Sequence, residues 1–281
     1  MATAGYNLEP VLLGDRELAQ ISALVRTKAG ITLTPAKRPL IIARLQKRLR
    51  RLKLSSYGDY MKVLEADTSG EELTSFLDAL TTNHTYFFRE EQHFELLAAT
   101  VVPELRRTDH GRPLRMWCAA CSSGQEPYTI AMTLADMTDP PAFTMLASDL
   151  STRVLEKAAS GVYRMEDVRG LPLDVLRRHF ERGVGEQDGL ARVSAALRRN
   201  ITYRQINLLE QGPGGQPFDV IFCRNVMIYF ETDVQQRVVT MLERHLAPGG
   251  YLFVSHSESL NSVSHGLKWI APAAYRKPLN G

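Results

Sequence analysis

Three cysteines in 281 residues are too few for a disulfide framework, and the odd count suits a reducing compartment. No apolar run approaches the roughly 20 residues that a membrane-spanning helix needs. The first residues, MATAGYNLEP, have neither a basic start nor an apolar stretch, so no secretory leader is expected and a cytoplasmic protein is. The seven histidines lack metal-ligand spacing, so no metal is expected, and no Ser/His/Asp triad stands out. Net charge is only +3, and contents of 44% hydrophobic and 23% charged residues are those of an ordinary globular chain.

Charge is present in blocks. Ala36 to Lys53 reads AKRPLIIARLQKRLRRLK, basic throughout with no acidic residue, whereas Ser69 to Leu80 is acidic. Residues 1–88 carry helical periodicity. Leu18, Ile21, Leu24 and Val25 share a face, as do Ile41, Ile42, Leu45, Leu49 and Leu52, and Leu73, Phe76, Leu77 and Leu80. Ser55 or Ser56 caps a helix between the last two. Residues 89–281 change texture. Apolar runs at Leu114–Trp117, Phe143–Ala147, Ile201–Ile206, Phe218–Cys223 and Tyr251–Ser255 alternate with helices near Pro127–Ala135, Thr152–Ala159 and Asp233–Leu246. This is the pattern of an α/β, Rossmann-like doubly wound sheet preceded by a small all-helical domain. Pro248–Gly250 reads as a helix stop. The rhythm breaks at Gly161–Asn200, which is arginine-rich and reads as an inserted subdomain closing by about residue 206.

The turn after the first strand, WCAACSSGQEPYTIA, sits where a dinucleotide fold places G-x-G-x-x-G. It has one glycine, and Glu126 would repel a phosphate. A cofactor without phosphate and with positive charge fits better, and S-adenosylmethionine is one. Asp149, at the end of the second strand, is placed to accept hydrogen bonds from ribose hydroxyls, or else merely caps the helix starting at Ser151 or Thr152. Phe218–Phe230, FDVIFCRNVMIYF, ends a strand in Arg224, Asn225 and Tyr229, either beside a reacting methyl group or as an ordinary polar exit.

The segments TTNHTYFFREEQHF, CAACSSGQEPYTIAMTLAD, SDLSTRVLEKAASGVYR, FDVIFCRNVMIYF and LAPGGYLFVSHSES, in that order, together resemble the chemotaxis receptor methyltransferase (CheR) family. The resemblance implies a helical domain followed by a methyltransferase domain with an inserted small antiparallel β-subdomain. It implies methyl-ester formation on receptor glutamates, with S-adenosylhomocysteine as product. It carries cofactor contacts onto Asn83, Thr85, Arg89, Glu126, Asp149, Asn207, Leu208, Arg224 and Asn225, with Arg89 pairing with the cofactor carboxylate. Two departures are visible: Cys118 and Cys121 among residues usually Ala or Ser, and Ser151 where an acidic residue is common. A glutamate nucleophile has an ordinary pKa near 4.3 and is already ionised, so no general base is needed. Tyr229 is then the candidate for orienting the acceptor, while the alignment at Arg106 is too loose to assign.

For partners, Arg44, Lys47, Arg48 and Arg51 recur at helical spacing and form a basic face suited to an acidic receptor helical bundle. The resemblance implies that in some members the edge of the inserted sheet captures a receptor C-terminal peptide. Arg177, Arg178, Arg182 and Arg192 are then candidates for holding it, with GVGEQDG as the turn of that sheet, or else the insertion merely covers the sheet edge. Nucleic acid and membrane insertion are not expected, and the chain is taken as a monomer. Rival readings are a redox enzyme using Cys118 and Cys121, a nucleic-acid methyltransferase using the basic helix, and a non-catalytic cofactor-binding module. RNVMIY differs from the N-P-P-Y type that grips a base nitrogen.

Overall fold

The structure, a computed structural model, describes residues 11–108 and 111–279. The chain forms two compact units that meet in sequence between Thr82 and Asn83. Among the described residues, the first holds α1 (Asp15–Ala29), a 3-10 turn (Pro35–Lys37), α2 (Arg38–Leu52), α3 (Tyr57–Ala66) and α4 (Glu71–Leu80). Their apolar stripes make the core: Ile21, Val25, Ile41, Leu45, Leu49 and Phe76 are almost wholly buried. Each such side chain contributes about 1.5–3 kcal/mol. Ser56 caps α3 by accepting from the Asp59 N–H at 3.0 Å.

The second unit begins with α5 (Gln92–Leu96), a π-helical stretch (Leu97–Val101) and α6 (Val102–Thr108). β1 (Leu114–Cys118), α7 (Gln125–Ala135), β2 (Phe143–Asp149) and α8 (Thr152–Ser160) follow. The insertion contains β3 (Val162–Arg164), α9 (Met165–Val168), α10 (Leu173–His179), β4 (Phe180–Arg182), β5 (Leu190–Val193) and α11 (Ala195–Arg198). The chain ends with β6 (Ile201–Gln205), β7 (Phe218–Phe222), α12 (Thr232–His245), β8 (Leu246–Phe253), β9 (Lys268–Ala271) and β10 (Ala274–Arg276). The large sheet has seven strands in the order β6-β2-β1-β7-β8-β10-β9. The first five are parallel, β10 pairs antiparallel with β8, and β9 pairs antiparallel with β10. Strand order reverses between β1 and β7, so a crevice opens at the carboxyl ends of these two strands. β7 is buried along its whole length, as a central parallel strand should be.

β3, β5 and β4 form a separate antiparallel sheet with β5 in the middle. β6 pairs with β2 in the large sheet, so the irregular insertion closes at Asn200 and the extension to residue 206 is corrected. The linker after Thr82 also groups with the second unit, six residues before the expected division at 88. Its contacts explain why. Phe87 packs edge-on against Tyr163 and Phe180, and the Phe88 N–H donates to Thr129 Oγ1 at 3.2 Å. α12 stops just before Pro248–Gly250. That helix ends at His245, and β8 pairs Phe218 with Leu246 and then Val220 with Tyr251, leaving the intervening residues as a bulge with Gly249 at φ 77°. Among the described residues, no helix is long and apolar enough to cross a membrane.

Candidate active site

Three segments converge at the carboxyl ends of β1, β2 and β7. The turn after β1 folds tightly because Ser122 and Gly124 take left-handed conformations, with φ 47° and 95°. A Cβ at Gly124 would lie 2.7 Å from the Tyr163 hydroxyl and 2.9 Å from Ala158, so only glycine fits there. The turn points the Ser122 N–H at Asp149 Oδ2, 2.8 Å away. Asp149 Oδ1 accepts from the Ser151 N–H at 3.0 Å, while the hydroxyl of Ser151 itself caps α8. The helix cap is therefore Ser151, and Asp149 anchors the turn between β1 and β2. The Ile206 N–H donates to the Asp149 carbonyl at 3.1 Å, which brings Asn207 and Leu208 beside the same strand end.

The linker Asn83–Glu91 supplies the second wall. The Asn83 carbonyl accepts from Ser122 Oγ at 3.1 Å, and Thr85 follows in the same irregular stretch. Phe88 and Glu90 both have positive φ, 56° and 59°, so the linker turns sharply on either side of Arg89. The Arg89 guanidinium donates to the His84 carbonyl at 2.9 Å and lies 5.8 Å from the centre of the Tyr86 ring. The linker itself thus orients this side chain.

Arg224, at the end of β7, ties the walls together. Its side chain is 1% exposed, bonded to Glu126 at 2.7 Å, to Glu90 at 3.1 Å and to the Arg89 carbonyl. Glu126 therefore does not meet a ligand as a bare charge: one oxygen faces Arg224 and the other accepts from the Cys118 thiol at 3.1 Å. Two carboxylates around one guanidinium still leave one net negative charge. Burial pushes Glu90 up, but Arg224, the His256 N–H and the Ser255 hydroxyl outweigh it and hold the carboxyl at about 2. Asn225, with φ 59°, donates from its side chain to Ser255 Oγ at 2.6 Å and to Glu90 Oε1 at 3.3 Å. Tyr229 lies just beyond, in a single 3-10 turn, Met227–Tyr229, and is half-buried.

Asn83, Glu126, Asp149, Arg224 and Asn225 thus meet around the crevice, with Arg89 joining through its carbonyl and Asn207 and Leu208 through the neighbouring strand end. Arg106 does not meet them. It pairs at 2.8 Å with Asp139, in the loop leading into the amino end of β2, on the opposite edge of the sheet. Two residues that sequence reasoning passed over are central. Glu90 accepts from Asn225, Ser255 and the His256 N–H and pairs with Arg224, and Glu258 accepts five backbone N–H groups. Glu258 lies three residues after Ser255, a Ser-x-x-Glu spacing that hints at a local capping role.

Donor atoms of Glu90, His93 and His256 lie within 4.8 Å of one another, a set that histidine spacing alone did not reveal. Glu90 already directs both oxygens at Arg224, Asn225, Ser255 and His256, and the two imidazoles stack at 4.5 Å. That arrangement is a hydrogen-bonded node with stacked rings, and the adjacent guanidinium disfavours a further cation. Burial and Arg224 together lower His93 to about 4, so it stays neutral at physiological pH. The thiols of Cys118 and Cys121 are buried, and burial pushes both well up, opposite to the lowered value of a redox dithiol.

The expected partner-binding arginines divide in two. Arg48 is paired with Glu72, and Arg44 donates to the carbonyls of Leu80 and Thr81 at 2.8 and 3.0 Å, so both serve the packing of α2 on α4. Lys47 and Arg51 remain exposed. In the insertion, Arg178 is held by Asp136 and Asp174, each at 2.6 Å. Arg177, Arg182 and Arg192 are exposed, with Arg182 3.8 Å from Asp188. Arg44, Arg48 and Arg178 are thus engaged within the chain.

The family model for the CheR methyltransferase SAM binding domain matches residues 83–274, and that for the CheR methyltransferase all-alpha domain matches residues 16–81. The chemotaxis protein methyltransferase of Escherichia coli (strain K12) is 44% identical over 264 residues, covering 91% of this chain and 88% of that protein. Chemotaxis protein methyltransferase 2 of Pseudomonas aeruginosa is 41% identical over 264 residues, covering 92% of each. The chain belongs to the CheR methyltransferase family.

Proposed function

We propose that this S-adenosylmethionine-dependent methyltransferase, which converts glutamate side chains of chemotaxis receptors to methyl esters, works through the crevice between β1 and β7. The chemistry of the donor set fits the cofactor. A carboxylate at the end of β2 suits a ribose diol, a guanidinium suits an amino-acid carboxylate, and the net negative charge around Arg224 suits a sulfonium and disfavours a phosphate. Asp149 would hold the ribose, Arg89 the cofactor carboxylate, and Glu126, Asn207, Leu208 and Asn225 the remaining wall, with Asn83 and Thr85 closing from the linker. Arg224 acts through others, by fixing Glu126 and the backbone beside Arg89. Bound there, the cofactor supplies a methyl group on a positively charged sulfur.

The acceptor carboxylate arrives ionised, so the chain's task is to align it and exclude water. Orientation of this kind contributes about 7–11 kcal/mol in favourable cases. Tyr229, which follows Asn225 in the loop leaving β7, would orient the acceptor. The observation that carries this reading is the single network joining Asp149, Ser122 and Asn83 on one side and Glu126, Arg224, Glu90 and Asn225 on the other.

Recognition of the receptor is assigned to two further surfaces. Lys47 and Arg51 of α2 present positive charge to an acidic helical bundle, and the edge strands β3 and β4 offer backbone pairing to a receptor C-terminal peptide. Arg177, Arg182 and Arg192 would meet its carboxylates. The enzyme is assigned to the cytoplasm as a monomer. The test is transfer of labelled methyl from adenosylmethionine to a receptor cytoplasmic fragment. Base-labile counts are expected, whereas base-stable counts would refute a carboxyl ester. Peptides from receptor C-termini should bind the insertion, and no binding at millimolar concentration would return it to a structural role.

A further inference from the structure

The loop leaving β7 carries Asn225 and Tyr229, yet it has little regular structure to hold it. Asn225 sits at φ 59° and Val226 at φ −121°, and the one short 3-10 turn begins only at Met227. Asparagine tolerates the left-handed conformation better than most residues, but something must keep the following N–H groups in place. Glu258 does so. Its Oε2 accepts from the N–H of Asn225 at 3.0 Å and of Ser255 at 2.8 Å. Its Oε1 accepts from Val226 at 2.9 Å, Met227 at 2.8 Å and Ile228 at 3.3 Å. Glu258 as a whole is 8% exposed. The carbonyl side of the same loop is held from α12, where Gln235 Nε2 donates to Met227 and Phe230, each at 3.1 Å.

We infer that Glu258 and Gln235 are positioning residues for methyl transfer: together they clamp the loop that presents Asn225 and Tyr229 to the crevice. Neither is needed to complete a strand or helix. Glu258 bridges the exits of β7 and β8, and Gln235 reaches back from the first turn of α12. A carboxylate is required because its two oxygens face only donors. An isosteric amide would turn its own NH2 toward part of the N–H ring and leave those groups unpaired. The inference rests on the site reading above, in which Asn225 and Tyr229 act at the cofactor and acceptor.

The test uses the full chain with two variants, Glu258→Gln and Gln235→Ala. In Glu258→Gln, kcat on a receptor cytoplasmic fragment should fall about 10- to 100-fold, the range expected when reacting groups lose alignment. Affinity for S-adenosylhomocysteine should fall by a smaller factor than kcat, because Asn225 is the loop's one contribution to the cofactor wall while Asp149, Arg89 and Glu126 lie outside the loop. Gln235→Ala should give a smaller loss of the same kind, about three- to tenfold. In both, hydrogen exchange at the Asn225–Ile228 amides should quicken while amides of β1 and β7 keep wild-type rates. A purely structural role would instead accelerate exchange across the sheet and lower kcat only by the unfolded fraction. Should Glu258→Gln not fold, Gln235→Ala decides alone. Wild-type exchange in the loop, or kcat within about twofold of wild type in every folded variant, would overturn the inference. A Tyr229→Phe enzyme with full turnover would remove the role given to Tyr229 and leave the clamp to be judged by the loop amides.

Discussion

Replacing Arg224 by methionine should destabilise the second unit strongly and in a pH-dependent way. The guanidinium is 1% exposed and faces Glu90 and Glu126, which are 17% and 12% exposed. Removing it leaves two nearly buried carboxylates without a cation, and breaking such a pair costs about 3–5 kcal/mol. The state of Glu90 gives a second route to the magnitude. A carboxyl held at about 2 instead of 4.5 corresponds to about 3 kcal/mol of preference for the ionised form in the folded chain. Arg224 is the largest of the groups that lower it. Because the folded value is depressed, that stability is fully present above the unfolded value and is lost as pH falls from about 5 to about 2. The variant should therefore be less stable at pH 7 and flatter across the acid range. Both tryptophans, Trp117 and Trp269, belong to the second unit, and Trp117 is fully buried, so fluorescence reports on this unit alone. A loss of about 3–5 kcal/mol predicts a melting temperature lower by about 6–20 °C. A variant melting within about 2 °C of wild type at pH 7, or one with the wild-type acid dependence, would refute this account.

Other outcomes follow from the same geometry. Asp149→Ala and Arg89→Ala should each weaken S-adenosylhomocysteine binding by at least about 1.5 kcal/mol in calorimetry, and unchanged affinity in both would overturn their assignment. Reversing Lys47 and Arg51 to glutamate should raise KM for the receptor at low salt, lose that effect at high salt and spare cofactor affinity; unaltered turnover at low salt would make α2 a solvated face. Arg48→Glu should instead lower the stability of the helical unit, since it would confront Glu72 directly, and circular dichroism melts would register it. The three cysteines, each no more than 1% exposed, should react with a disulfide reagent only on unfolding; fast modification of the native enzyme would contradict their raised pKa values.

What the sequence disclosed and what it hid separate along physical lines. Strands such as Phe218–Phe222 and helices such as Thr152–Ser160 were legible because burial imposes a period that the apolar residues must follow. The turn Ala119–Gly124 was legible because close approach leaves a glycine no substitute. Side-chain pairing has no such period. Arg44 and Arg48 share a helical face with Lys47 and Arg51, yet α4 happens to place Glu72 and its last carbonyls against only the first two. A basic stripe in sequence cannot distinguish a cation facing solvent from one facing a neighbouring helix. The same holds for Glu126, whose charge looked free until Arg224, 98 positions away, was found against it. Glu90 and Glu258 were hidden for a stronger reason: their partners are mostly backbone N–H groups, hydroxyls and an amide, which every segment possesses. A carboxylate that binds ligand can be guessed from its place at a strand end. One that holds a loop can be recognised only once the chain has brought that loop to it.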